Sequence, residues 1–115
     1  MVTDTRQIRV IVIPTDDAEA PHAVQIDAAA LDALLGGRGC LTSLPGTEAQ
    51  LYNNDRARDL DLPPNPRATR FVTRYVPGFA HADMILGPAV IIGIADDGLE
   101  GDVPGDIEAL ALMSA

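Results

Sequence analysis

Two apolar runs constrain the fold of this chain more than any other feature of its sequence. Ile8–Ile13 has a β-branched residue at every apolar position and stops at Pro14, and Ala89–Ile94 is a second run of the same kind. Apolar runs of this length are typical of strands that are buried on both faces. The sequence therefore predicts two central strands, and we expect them to lie side by side in the middle of a mixed sheet.

Shorter patterns predict the rest of an α+β domain. A strand at 23–26 is expected to form a hairpin with the first run. The helix pattern at 28–35 begins after Asp27, which we interpret as its N-cap, and ends at two glycines. Strands are also predicted at 39–44, 48–53 and, briefly, 56–60, with turns at Pro45-Gly46 and Asn54-Asp55, a bend at Gly87-Pro88, a loop at 101–105 and a final helix at 106–113. We expect a flexible lead at 1–7 and one domain at 8–115, with a mixed, mostly antiparallel sheet of about five strands packed against two or three helices.

The clearest helix signal follows the Pro63-Pro64 pair. Asn65 is a good N-cap, and Pro66 fits the first helical position, where no backbone N–H is needed. The apolar residues that follow recur at helical spacing until Pro77-Gly78, and they are Ala68, Phe71, Val72 and Tyr75. A helix start also presents free N–H groups and the positive end of the helix dipole, which attract anions. The pattern is consistent with a plain cap or with an anion site.

The charge of the chain excludes several classes of partner. A net charge of -9 arises from 17 acidic and 8 basic side chains, and every basic residue is arginine. This charge repels DNA, RNA and anionic membranes, so we expect no direct nucleic-acid binding and no membrane partner. We find no signal peptide and no apolar stretch near the roughly 20 residues that span a bilayer, so we expect a cytoplasmic protein. The same charge would suit a protein that imitates a polyanion.

One region departs from this acidic character. Residues 55–74 hold five arginines against three acids, a balance of +2, whereas the remainder holds three arginines against 14 acids, a balance of -11. Guanidinium groups beside side-chain amides can bind a phosphate or a carboxylate. The candidate residues for binding a ligand or partner are Asn53, Asn54, Arg56, Asn65, Arg67, Thr69, Arg70 and Arg74. The alternative is that these arginines pair with the surplus Asp and Glu side chains on a solvated face.

Residues that would carry catalysis or hold a metal are sparse. Cys40 is the single cysteine, which excludes an internal disulfide. His22 and His81 are isolated, and the acids between 96 and 106 lack the regular spacing of an EF-hand loop. The sequence has no nucleophile motif of the Gly-x-Ser-x-Gly type. We therefore predict a non-enzymatic protein with no metal and no cofactor.

Four blocks of sequence occur together and in a fixed order. They are Val-Ile-Val-Ile-Pro at 10–14, Leu-Leu-Gly-Gly at 34–37, Leu-Pro-Pro-Asn-x-x-Ala-Thr within 52–69 and Gly-Pro-x-Val within 85–93. Together they resemble an uncharacterised family of small proteins from actinobacterial phages and plasmids, and the last two blocks are the distinctive ones. The chain departs from that family at Asn54-Asp55-Arg56, where the family is usually more acidic and has a glycine. The resemblance implies a mobile genetic element in a GC-rich host, which agrees with the exclusive use of arginine.

These observations lead us to expect a phage- or plasmid-encoded accessory protein that binds a host component, as a host-takeover or counter-defence factor. A first alternative is a small-ligand binder that sequesters a nucleotide-like anion, and it predicts a concave pocket at the start of the second helix. A second alternative is a DNA mimic, which predicts Asp and Glu side chains aligned along one surface. A homo-oligomer is a further hypothesis, because a short chain with 47% apolar residues can cover a sheet edge by self-association.

Overall fold

An antiparallel β-sheet crosses the middle of the molecule in the computed structural model, which describes residues 6–79 and 83–113. Its strands are β1 (Gln7–Ile13), β2 (His22–Asp27), β3 (Gly39–Ser43), β4 (Ala49–Asn54), β5 (Ala89–Ile94) and β6 (Glu100–Gly101). The order in the sheet is β2-β1-β5-β4-β3, and β6 pairs with β5 outside this path. Every pairing between these strands is antiparallel. Together with the helices that pack on it, this sheet confirms the predicted α+β class.

The two apolar runs form adjacent strands at the centre of this sheet. Ile11 of β1 lies opposite Ile91 of β5, and Val12 lies opposite Val90. Successive strand residues face opposite sides, and Ile91 and Val90 are both completely buried. The chain therefore covers both faces of β5, as the continuous apolar run predicts. The prediction that the two runs lie side by side is confirmed.

Helices α2 (Pro66–Thr73) and α3 (Gly105–Leu112) cover one face of the sheet. Phe71 and Val72 of α2 are completely buried in one apolar cluster with residues of β1, β4 and β5. The helix ends at Thr73, before the predicted stop at Pro77-Gly78. Tyr75 already belongs to a turn, in which its N–H donates to the carbonyl oxygen of Val72 at 2.9 Å. The amphipathic pattern thus predicts the position of α2 and overestimates its length.

A short helical segment covers part of the opposite face. It consists of a 3-10 turn (Ala28–Ala30) and helix α1 (Leu31–Leu35). Leu31 and Leu35 are buried in a second apolar cluster with Ile8, Val10, Val90 and Ile92. The chain leaves the helix at Gly36 with a φ of 76°, a conformation that glycine adopts without strain. The helix predicted at 28–35 is present, with its first turn in the tighter 3-10 form.

Asp27 occupies the N-cap position of the 3-10 turn, as predicted, but its side chain makes no capping hydrogen bond. Asp27 is the last residue of β2, and its carboxylate accepts a hydrogen bond from the side-chain amide of Gln7 on β1. The first helical N–H, that of Ala28, donates to the carbonyl oxygen of Arg6 at 2.9 Å. The side chain of Asp27 therefore bonds to the neighbouring strand and not to the helix for which the local sequence predicts a cap. Gln7 belongs to β1 although it lies in the predicted lead, and residues 1–5 of that lead lie outside the described residues.

Residues 56–60, predicted as a brief strand, form turns instead. The N–H of Leu60 donates to the carbonyl oxygen of Arg56 at 2.9 Å, a local bond that a strand ladder does not contain. The sequence resembles a strand here because the apolar Ala57 stands between polar neighbours. In the turn, Ala57 is likewise buried and its neighbours are exposed. The turn also begins later than predicted, since Asn54 is still part of β4.

The last third of the fold agrees with the sequence except at one short strand. Gly87 has a φ of 78° and forms the bend predicted at Gly87-Pro88. The final helix begins at Gly105, one residue before its predicted start. The strand β6 overlaps the loop predicted at 101–105 at Gly101, which lies opposite Gly93 of β5. A strand of 2 residues has no periodic pattern that a sequence could reveal.

Candidate functional site

Asn65 is the N-cap of α2, as predicted. Its side-chain oxygen accepts a hydrogen bond from the N–H of Ala68 at 3.2 Å. Its side-chain nitrogen donates to the carbonyl oxygens of Ile13 at 2.9 Å and Gly87 at 3.0 Å. Asn65 is completely buried, so every polar atom of its amide serves the fold. The side chain is therefore a structural link and does not reach a surface ligand.

Thr69 has a similar structural role one turn further along α2. Its hydroxyl donates to the carbonyl oxygen of Asn65 at 2.9 Å and accepts a hydrogen bond from the N–H of Ile85 at 3.0 Å. The N–H of Asn65 in turn donates to the carbonyl oxygen of Ile85 at 2.8 Å. These bonds attach the start of α2 to the segment that leads into β5.

The two asparagines at the end of β4 also bond within the protein. Asn54 is buried, and its amide nitrogen donates to the carbonyl oxygen of Leu35 at 3.1 Å while its amide oxygen accepts from the N–H of Arg56 at 2.8 Å. Asn53 is partly buried and donates to the carbonyl oxygen of Leu86 at 3.4 Å. Asn54 thus holds the end of α1, and Asn53 alone keeps an amide near the surface.

Arg67 lies on the first turn of α2 and is 4% exposed. Its Nη2 donates to the carbonyl oxygens of Pro14 at 2.7 Å and Asp16 at 3.0 Å, which anchors the loop between β1 and β2. Its Nε is buried and donates no hydrogen bond to any residue that the structure describes. A carboxylate oxygen of Asp17 lies 3.8 Å from that nitrogen, near enough for an ion pair and too far for a hydrogen bond.

A cavity of about 430 Å³ opens beside this arginine, and we call it the arginine cavity. It is lined by Asp17, Ala18, Ala20, Pro66, Arg67 and Arg70. Arg70 is exposed, and its guanidinium pairs with no carboxylate in the described part of the chain. The positive end of the α2 dipole adds to the charge of the two guanidinium groups. The arrangement can accept the anionic group of a ligand.

A second cavity of about 280 Å³ lies near the ends of β3 and β4. Cys40, Asn53, Arg56, Arg58 and Asp83 are among its lining residues. Arg58 pairs with Asp83 at 2.8 Å, and Arg56 lies 3.8 Å from Asp59. Both arginines of this cavity therefore have carboxylate partners, as the alternative of a solvated, paired surface predicts, whereas in the arginine cavity Arg67 has Asp17 and Arg70 has none among the described residues.

The structure divides the single basic area predicted at 55–74 into separate places. Arg56 and Asn53 line the second cavity, whereas Arg67 and Arg70 line the arginine cavity. Arg74 is exposed and lines neither of them. Asn65 and Thr69 are buried and line neither cavity. Of the predicted residues, Arg67 and Arg70 alone meet at a cavity next to the start of α2.

Sequence reasoning missed the loop that closes the arginine cavity. Asp17, Ala18 and Ala20 lie about fifty positions before α2, and no motif connects them with the helix. This loop lies next to α2 because the end of β1 is joined to the start of α2 by the hydrogen bond between Asn65 and Ile13. No local signal in the sequence could have identified these lining residues.

The remaining predicted features give no further site. Within residues 6–79 and 83–113, no group of three or more His, Cys, Asp or Glu side chains is arranged to hold a metal ion. His81 lies outside the described residues. None of the described helices combines the length and the apolar character that crossing a membrane requires. The described acids outside 55–74 lie on several loops, on the strands β2 and β6, on α1 and on α3, and their alignment as a DNA mimic stays a prediction.

In the comparison with protein families, a family model matches residues 8–113. The chain belongs to this family, described as Domain of unknown function (DUF3846). The family covers nearly the whole chain, which confirms the resemblance to an uncharacterised family. An origin in a phage, a plasmid or an actinobacterial host stays a prediction.

Comparisons beyond the family concern the fold alone. No curated protein sequence matches the chain significantly. The DUF3846 chain is similar to part of a solved structure described as the crystal structure of small RNA methyltransferase HEN1, with a TM-score of 0.60 and 18% sequence identity. The match covers 96% of this chain and 16% of that protein. The DUF3846 fold thus also occurs as a small part of a much larger protein.

Proposed function

We propose that this protein is a non-enzymatic binding protein that holds a small, nucleotide-like anion in the arginine cavity and so sequesters it. The observation that carries the proposal is the meeting of Arg67 and Arg70 at a cavity beside the start of α2. Helix N-termini and paired guanidinium groups are both common sites for phosphate and carboxylate groups.

The two arginines are suited to different parts of this task. Arg67 is buried and held by two backbone carbonyls, so its charge has a fixed position before a ligand arrives. Such preorganisation lowers the entropy that binding would otherwise cost. Arg70 is exposed and without a carboxylate partner among the described residues, so it is free to close over an anionic group. Charge-assisted hydrogen bonds from both would fix the anion.

The size and walls of the cavity suit a ligand larger than an isolated ion. Its volume of about 430 Å³ lies within the range of roughly 300–1,000 Å³ that is usual for small-molecule sites. Ala18, Ala20 and Pro66 form an apolar wall beside the charged groups. Apolar walls with a few polar groups are typical of sites that bind a ring next to an anion. A nucleoside phosphate has both of these parts.

Thermal unfolding and calorimetry with nucleoside mono- and diphosphates test the proposal. A ligand at 100-fold excess over its Kd should stabilise the wild-type protein by about 2.7 kcal/mol. Arg70→Ala should weaken binding about tenfold, because it removes a charge-assisted hydrogen bond. Arg74→Ala is the matched control, since Arg74 is an exposed arginine next to the same helix that lines neither cavity. Equal affinities for the two variants, or no binding to the wild type, would contradict the proposal.

A protein partner is a second candidate, and the α1 side of the sheet favours it. The short helix leaves Val12 and Val24 only partly buried there, and Leu41 on the edge strand β3 is 46% exposed. An apolar area of this kind suits a host protein, in line with the predicted accessory role in the cytoplasm of a bacterial host. A second copy of the chain is the competing occupant.

Light scattering and affinity capture separate these partners. Leu41→Glu should abolish retention of a host protein and leave binding in the arginine cavity unchanged. A wild-type dimer that Leu41→Glu converts to a monomer would instead assign this face to self-association. If the wild type and Leu41→Glu capture the same proteins and have the same mass in solution, the α1 side is not an interface.

A further inference from the structure

The arginine cavity contains one carboxylate, that of Asp17, beside its two guanidinium groups. We propose that Asp17 determines the specificity of the cavity: it disfavours bare dianions and selects anions that also carry a hydrogen-bond donor. This inference rests on the proposed function of the same cavity. It names a property that a cavity lined by arginine alone would not have.

The loop holds the backbone around Asp17, whose side chain stays exposed beside its ion-pair partner Arg67. The carboxylate of Asp16 accepts a hydrogen bond from the N–H of Ala18 at 2.9 Å. The carbonyl oxygen of Asp16 accepts a hydrogen bond from Arg67 at 3.0 Å. The side chain of Asp17 is 83% exposed and remains 3.8 Å from the Nε of Arg67. The carboxylate is therefore kept near the buried arginine and can still turn toward a ligand.

Electrostatics then distinguishes two kinds of anion. An oxyanion that reaches both arginines comes within a few ångströms of Asp17, and like charges at that distance repel each other. A sulfate ion has no hydrogen atom to offer, so it experiences this repulsion without compensation. A ligand with a hydroxyl or amino group beside its anionic group donates a hydrogen bond to Asp17 instead. Nucleoside 5′-monophosphates carry both groups at a spacing that a cavity of this size can contain.

The test is calorimetry with sulfate and with adenosine 5′-monophosphate at constant ionic strength. Asp17→Asn removes the charge of the side chain and keeps its size. It should strengthen sulfate binding about fivefold, since it removes the repulsion between like charges in water. The nucleotide phosphate gains from the same relief, but the hydrogen bond that the nucleotide donates becomes weaker with a neutral acceptor, so its affinity should change by less than about twofold and the preference for the nucleotide over sulfate should fall about fivefold. Glu19→Gln, on the same loop and outside the cavity lining, should change both affinities by less than about twofold.

The outcomes separate this inference from the proposal beneath it. A preference for the nucleotide over sulfate that falls about fivefold in Asp17→Asn supports the specificity role. Equal shifts in one direction overturn it, because Asp17 would then act only as a general negative charge, while the ligand proposal would stand. Two outcomes overturn the proposed function itself. One is that Arg70→Ala leaves both affinities unchanged. The other is that neither ligand binds to the wild type or to Asp17→Asn. A melting temperature measured for each variant shows that the exposed substitutions leave the fold intact.

Discussion

The side-chain nitrogen of Asn65 donates a hydrogen bond to the carbonyl oxygen of Ile13 at 2.9 Å, across 52 positions of sequence. The same amide bonds to Gly87 and caps the N–H of Ala68. One buried side chain thus joins the end of β1, the start of α2 and the segment before β5. Because it fixes where α2 starts relative to the β1–β2 loop, it also determines that Arg67 and Asp17 meet at one cavity.

Asn65→Ala should destabilise the protein by at least about 3 kcal/mol. The substitution removes an N-cap, which contributes roughly 1 kcal/mol, and leaves two buried carbonyls short of a donor, at roughly 1–3 kcal/mol each when nothing replaces it. The midpoint of urea unfolding measures the change. Asn53→Ala is the matched control, because its single bond of 3.4 Å to Leu86 is long and partly exposed, and it should cost less than about 1 kcal/mol. Similar losses for both variants would contradict the role given to Asn65.

The sequence predicts the cap at Asn65 because capping is local. An asparagine before a proline and an amphipathic pattern is enough to identify it. The other two bonds of the same amide join residues far apart in the chain, and no pattern marks them. A long-range contact also explains why the side chain of Asp27 does not cap its helix. Asp27 looks like a good cap in the local sequence, but its carboxylate accepts a hydrogen bond from Gln7 instead.

The predicted basic area divides for a related physical reason. Charge counting over 55–74 treats the arginines as neighbours, but turns at 55–61 and the extended segment around Pro64 separate Arg58 from Arg67. Which carboxylate each arginine meets depends on tertiary structure: Asp83 for Arg58, and Asp17 for Arg67. The sequence alone therefore identifies the start of α2 as a candidate site, but it cannot identify the residues that form the opposite wall of the arginine cavity.

Gly93→Ala should cost at least about 3 kcal/mol, because the new methyl group has no room. A Cβ atom at Gly93 would overlap the carbonyl oxygen of Asp102 and lie 2.7 Å from its carbonyl carbon. These are backbone atoms, so β6 would have to move away from β5. Gly105→Ala is the control: nothing lies within 4 Å of its Cβ position at the start of α3, and the change should be neutral or stabilising by up to about 1 kcal/mol. Thermal unfolding of the pair checks the contrast, and equal melting temperatures would contradict the close contact.

Tyr75→Phe should raise stability by about 0.5–1 kcal/mol. The hydroxyl of Tyr75 is buried and has no hydrogen-bond partner among the described residues, and burial raises the pKa of this hydroxyl. Removing a buried polar atom without a partner relieves its desolvation cost. The ring keeps its edge-on contact with Phe71, whose centroid lies 5.4 Å away. Tyr52→Phe, which loses a bond of 3.3 Å to Gln50, should not gain stability in the same urea titration. A loss in Tyr75→Phe would indicate that the hydroxyl is bonded after all.

The ion pair between Arg9 and Glu108 should make stability depend on pH in the acid range. Arg9 Nε lies 2.6 Å from one carboxylate oxygen of Glu108, and this hydrogen bond holds the pKa of Glu108 below its ordinary value. A lowered pKa in the folded state means that the unfolded state binds more protons. The contribution is therefore complete above the ordinary pKa and is lost as the pH falls through the lowered one.

The measurement is the difference in urea midpoint between wild type and Glu108→Gln, followed from neutral pH downward. The difference should be small, because the Arg9 side chain is 52% exposed and water screens the pair, and it should shrink toward zero as the carboxylate becomes protonated. Glu48→Gln is the control, since the exposed Glu48 carboxylate pairs with no arginine among residues 6–79 and 83–113. It should show no comparable decline. A difference for Glu108→Gln that stays constant or grows as the pH falls would mean that the bond with Arg9 does not stabilise the folded protein.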